Sequence, residues 1–104
     1  MIKKKYKVVY TELFRTDIKN AFNYIVNELD NLIAAERLME LIKEKIEERA
    51  KYPESFSVVK ISKNKNRKWY RINVKIYVIF YTVENDTIAM RRFLYSRRNY
   101  KNFI

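Results

Sequence analysis

The sequence predicts an α+β domain: an N-terminal strand, an antiparallel helical hairpin, then an antiparallel sheet of three or four strands, in the order β-α-α-β-β-β. Three observations lead there. Apolar residues recur at helical spacing through two consecutive segments, they alternate with period two further on, and short polar turns separate the pieces. At 104 residues, 48% of them hydrophobic, the chain has enough apolar surface for one core, read as a single domain over residues 1–104.

The short β-type run YKVVY (6–10) opens the fold. In TELFRTDIKNAFNYIVNEL, residues Phe14, Ile18, Ala21, Phe22, Ile25 and Leu29 fall on one helical stripe, with Thr11 as N-cap and Glu12 favourable in the first turn. Asp30 and Asn31 read as a break and a second cap. The run 32–51 then sets Ala35, Leu38, Met39, Ile42 and Ile46 at helical spacing, with Glu and Lys on its outer face. Pro53 in KYPES ends that helix. SVVKIS (57–62) reads as an edge strand and KNKNRK (63–68) as a basic loop. Alternation through WYRINVKIYVIFYTV predicts one long strand. Tyr70, Ile72, Val74, Ile76, Val78 and Phe80 would lie on one face, with Arg71, Asn73, Lys75, Tyr77, Ile79 and Tyr81 opposite. ENDT turns the chain and TIAMRRFLY returns it.

Charge is segregated along this outline. Residues 1–59 hold 11 Lys/Arg and 10 Asp/Glu, whereas residues 60–104 hold 12 Lys/Arg and only Glu84 and Asp86. Such a one-sided field attracts an acidic protein or a polyanion. The expectation is one open basic face carrying Arg71, Lys75, Arg91, Arg92, Arg97 and Arg98, with Trp69, Tyr70, Tyr77, Tyr81, Tyr95 and Tyr100 in the same region as stacking surfaces. With no Cys and no His, disulfides, thiolate or imidazole metal sites and the usual neutral-pH general base are all excluded. No metal or cofactor is expected. The basic start MIKKKYKVVY is not followed by an apolar stretch, so neither a signal peptide nor a membrane span is expected, and a cytoplasmic location fits. Arginines on such a face could stabilise a pentavalent phosphate, a lysine among cations could act as a base, and a tyrosine could act as an acid. The same residues also make a purely binding face.

The ordered segments YKVVY, TELFRTDIKNAFNYI, YPES and WYRINVKIYVIFYTVENDTIAMRRFLYSRRNY resemble the RelE/ParE superfamily of bacterial toxins over nearly the whole chain. The sharpest part comprises Tyr77, Phe80, Tyr81, Val83, Arg92, Tyr95 and Arg98. The resemblance implies the toxin half of a type II toxin–antitoxin pair, neutralised by a cognate acidic antitoxin. The RelE-like branch implies a ribosome-dependent mRNA endoribonuclease that inhibits translation, with the ribosome and mRNA as partners. Candidate catalytic residues are then Arg71, Arg98, Tyr95 and Tyr100. Lys63, Lys65, Lys68, Lys75, Arg92 and Arg97 are the candidate RNA-binding residues, while Asn73 and Val78 fall where that branch carries further cations. The ParE-like branch implies instead a non-enzymatic inhibitor of DNA gyrase, and the tail LYSRRNY matches that pattern.

Overall fold

The computed structural model describes residues 5–59 and 67–99. Strand β1 (Lys7–Tyr10) leads into α1 (Glu12–Asn27) and α2 (Leu32–Arg49), followed by β2 (Trp69–Val74), β3 (Tyr77–Glu84) and β4 (Thr87–Tyr95). The expected α+β architecture and element order are present. Both predicted caps form: the Thr11 hydroxyl accepts from the Phe14 N–H and the Asn31 side chain from the Ala34 N–H, each supplying a donor group at a helix start with a partner. Asp30 takes a left-handed φ of 46° in the reversal between the helices. Helix α2 stops at Arg49, and Pro53 is buried in the turns beyond it.

The sheet has the order β1-β4-β3-β2. Strands β2, β3 and β4 form the expected antiparallel meander, and β1 joins it parallel to β4, with Val8 beside Ile88. The sheet is therefore mixed. A parallel partner 80 residues away leaves no local pattern to read. The helices cover one face. Phe14, Ile25, Ala35, Leu38, Ile42 and Ile46 pack there against Tyr70, Ile72, Val74, Ile79, Tyr81, Ile88, Met90 and Phe93. A separate small cluster of Trp69, Val78, Phe80 and Leu94, with Val59 beside it, occupies the other face.

The predicted long strand over 69–83 is instead a hairpin. Val74 pairs with Tyr77 across a tight turn formed by Lys75 and Ile76. Lys75 takes φ 54° there, a conformation that glycine ordinarily supplies. Because paired residues share a face, the turn reverses the parity of everything after it. Val78 and Phe80 therefore leave the helix side, while Tyr77, Ile79 and Tyr81 turn toward it. The edge strand expected at SVVKIS is absent over 57–59, although the Val59 N–H donates to the Trp69 carbonyl; 60–62 lie outside the described residues. Among the described residues no helix is long and apolar enough to cross a membrane.

Candidate partner-binding groove

Among the described residues, the predicted basic side chains do not gather on one patch. Arg67, paired with Glu84 at 3.1 Å, and Lys68 sit before β2, while Lys75 follows it, so the two ends are roughly 20 Å apart by strand rise. Arg91 joins the first group: its Nε donates to the Thr82 hydroxyl at 2.7 Å and its guanidinium lies 5.9 Å from the Trp69 ring centroid. Burial, reinforced by the neighbouring Arg67, pulls the Arg91 guanidinium below its ordinary value. Arg97 and Arg98 lie at the other end, beyond β4, where both are exposed. Arg71 sits midway on β2, with Nη2 donating to Asn73 Oδ1 at 3.0 Å and its guanidinium 6.0 Å from Phe80.

Arg92 is committed internally. A bulge opposite Phe80 and Tyr81 adds Arg91 to β4, and Arg92 turns toward α1. Its Nε and Nη2 donate to the two carboxylate oxygens of Asp17 at 2.7 and 2.9 Å, and the Phe93 N–H donates to the same carboxylate at 3.0 Å. Both side chains are largely covered, so this pair holds α1 against the half of β4 that β1 does not reach. It corrects the assignment of Arg92 to an open RNA-binding face.

The aromatic platform is corrected as well. Tyr70 and Tyr81 are buried and stack on each other at 5.2 Å; Tyr77 stacks on Phe93 at 4.7 Å, and Trp69 is buried on the outer face. Burial raises the phenols of Tyr70, Tyr77 and Tyr81, so they stay protonated at neutral pH and are poor bases. Lys75 is in a turn, not on a strand, and Lys63, Lys65 and Tyr100 lie outside the described residues. Arg71 and Tyr95 are on opposite faces of the sheet, separated by three residue rows, about 10 Å.

Two predicted site residues do meet. Tyr95 and Arg98 line a groove of about 630 Å³ between α1, the β2–β3 turn and the end of β4. The turn and the strand end are tied by the Ser96 N–H donating to the Ile76 carbonyl at 2.8 Å, and Arg98 is held in a turn by its N–H to the Tyr95 carbonyl. The floor contains residues that the sequence reading passed over. Tyr24 is 54% exposed, Leu29 56%, Ile76 56% and Tyr95 43%. Four large apolar side chains from four segments open onto one concavity, an arrangement that marks interaction surfaces. Tyr24 was legible as an aromatic off the helical stripe. Ile76 was hidden by the missed turn, and Leu29 by its place in the stripe. Asp17 lines the groove too, but its carboxylate is already neutralised by Arg92. A second groove, about 560 Å³, lies beside Arg49, Tyr52, Phe56 and Asn73. Among the described residues no three or more His, Cys, Asp or Glu side chains converge to hold a metal.

Comparison with known proteins bears on the fold and the family. A search of curated protein sequences finds no match. Among solved structures, the fold is similar to one described as the chromosomal ParDE TA system from P. aeruginosa. The TM-score is 0.69 at 12% identity, with 86% of this chain and 95% of that chain covered. The sequence profile of the family described as ParE toxin of type II toxin–antitoxin system, parDE, matches residues 8–100. With nearly the whole chain matched, this protein belongs to the ParE family of type II toxins, whose counterpart is an antitoxin.

Proposed function

We propose that this toxin acts by gripping a protein target, DNA gyrase, and not by cutting mRNA. The observation that carries the reading is the separation of Arg71 from Tyr95 and Arg98 by the thickness of the sheet and three residue rows. RNA cleavage by a neighbouring 2′-hydroxyl needs a base, a cation and an acid around a single phosphate, within hydrogen-bond reach of it. Arg92 is engaged by Asp17, and the buried phenols are raised away from neutral pH. The groove supplies what protein recognition needs instead: an apolar floor with arginine and tyrosine at its rim. In this reading Tyr95 and Arg98 are contact residues, and the toxin works in the cytoplasm where gyrase does.

The test is a purified gyrase supercoiling assay run beside mapping of mRNA ends during induced expression. Supercoiling should be inhibited while transcripts stay intact. Arg98→Ala should weaken inhibition about tenfold, as expected for loss of one interface anchor, and Arg71→Ala should leave it unchanged. Cleaved transcripts that disappear with Arg71→Ala would restore the ribonuclease reading and remove this one.

A further inference from the structure

We propose that the second groove, where the end of α2 meets β2, is a binding site for a nucleoside phosphate. The phosphate would sit on Arg49, Lys45, Lys51 and Asn73, and the ring on Tyr52. The site is separate from the groove at Tyr95 and Arg98, and it does not depend on what the toxin targets.

The acceptors around this groove are already engaged. The Arg71 carbonyl and the Tyr81 hydroxyl both accept from Arg49 Nη1, at 2.9 and 3.0 Å, and the Pro53 carbonyl accepts from the Tyr81 hydroxyl at 2.8 Å. The carbonyls that close α2 are engaged too. Those of Ile46, Glu48 and Arg49 accept from the N–H groups of Ala50, Lys51 and Tyr52. The helix end therefore lacks the bare carbonyls that would repel an anion. Asn73 Oδ1 accepts from Arg71 at 3.0 Å, which leaves its amide nitrogen as the group to offer a ligand.

What remains is a set of donors. With Nη1 spent on two acceptors, Arg49 keeps the fork of Nε–H and Nη2, a geometry that takes two phosphate oxygens at once. The fork is held still, because the guanidinium also lies 3.5 Å from the Phe56 ring centroid. Lys45, one helical turn before Arg49, and Lys51, just past the helix, line the same groove. Among the described lining residues Glu48 is the lone carboxylate against these three cations, so an anion is favoured.

The remaining lining suits a planar ring. Tyr52 is 58% exposed and Ile72 lies beside it, and such faces stack a base. The volume, about 560 Å³, is that of a small-molecule site. A strand of nucleic acid needs a continuous basic track instead. Among the described residues the other sheet cations are dispersed, Arg91 at one end and Arg97 and Arg98 at the other. A free nucleotide is the better fit.

The test is calorimetric titration of the full chain with adenosine diphosphate, pyrophosphate, adenosine and a short single-stranded oligonucleotide. The nucleotide should bind, pyrophosphate more weakly, and adenosine not measurably. Asn73→Asp should weaken the nucleotide at least tenfold, since it keeps the acceptor for Arg71 but turns the donor into a carboxylate oxygen. Lys45→Glu with Lys51→Glu should do the same, most strongly at low salt. Tyr52→Ala should weaken the nucleotide about tenfold and leave pyrophosphate unchanged. Thermal unfolding of each unliganded variant shows that the fold is kept. Adenosine diphosphate should raise the Tm of the unaltered chain and not that of Asn73→Asp. No binding by the unaltered chain, or equal binding by the folded variants, would overturn the proposal. Binding of the oligonucleotide alone would overturn it too, because the contact would then belong to nucleic acid.

Discussion

Two ends of the molecule are built from the same residue types and use them in opposite ways. At the C-terminal end of α2, Arg49 is anchored. Its Nη1 donates to the Arg71 carbonyl at 2.9 Å and the Tyr81 hydroxyl at 3.0 Å, and its guanidinium lies 3.5 Å from the Phe56 ring centroid. The Tyr81 hydroxyl in turn donates to the Pro53 carbonyl at 2.8 Å. One cation and one phenol thus lock α2, the turns after it, the edge of β2 and the middle of β3 together. Four residue rows along β3, roughly 13 Å away, Tyr24, Tyr95 and Arg98 stand around an open groove. What separates the closed end from the open one is the surroundings of each side chain. The first end is closed by its own hydrogen bonds, whereas the second leaves Tyr24 and Tyr95 exposed.

The comparison predicts a graded set of effects. Tyr81→Ala should be the most damaging, costing about 4 kcal/mol in chemical denaturation, because it empties a buried ring site and strands Arg49 and the Pro53 carbonyl. Asp17→Ala should cost about 3 kcal/mol, since it leaves the Arg92 guanidinium covered and uncompensated. A loss under about 1 kcal/mol there would mean that α1 does not depend on this pair. Lys75→Gly should instead stabilise by about 1 kcal/mol by relieving the left-handed backbone at the turn, raising Tm by several degrees. At the open end, Tyr24→Ala should change stability by less than about 0.5 kcal/mol, and a large loss there would show that the groove floor belongs to the core.

A pH titration sharpens the same contrast. Burial raises the Tyr81 phenol above its ordinary value, only partly offset by the hydrogen bond from Arg49 and by its charge. A phenol whose folded value exceeds its unfolded one contributes stability that is complete below about pH 10 and lost as pH climbs toward the folded value. Tyr81→Phe should therefore lower stability near neutral pH and flatten its decline above pH 10. An unaltered alkaline slope would mean that Tyr81 is not the group responsible.

How much of this could be read from the chain differs between elements. The helices and their caps were legible because their signals are local. Thr11 and Asn31 cap where expected, and the stripe from Phe14 to Ile25 faces the core. Leu29 departs from the stripe because α1 has already ended at Asn27. The β2–β3 turn was invisible for two reasons. It contains Lys75 and Ile76 in place of Gly or Asn, and β3 is apolar on both faces, so alternation could not reveal the change of parity. That single slip misplaced Tyr77 and Tyr81 and gave the impression of one basic, aromatic face. The Asp17–Arg92 pair joins residues 75 positions apart, and only the fold brings them together. In the groove, Tyr95 and Arg98 had been singled out by resemblance as candidate catalytic residues, whereas Tyr24, Leu29 and Ile76 are brought beside them only by the fold.

The stoppering of the sheet by side chains from the helices has a consequence for the toxin's life alone. Thr11 and Asp17 occupy main-chain groups on β4, and Arg49 occupies one on β2. Such plugs blunt the strand-to-strand stacking by which copies of a β protein precipitate. Copies of the free chain are then less prone to pair edge to edge.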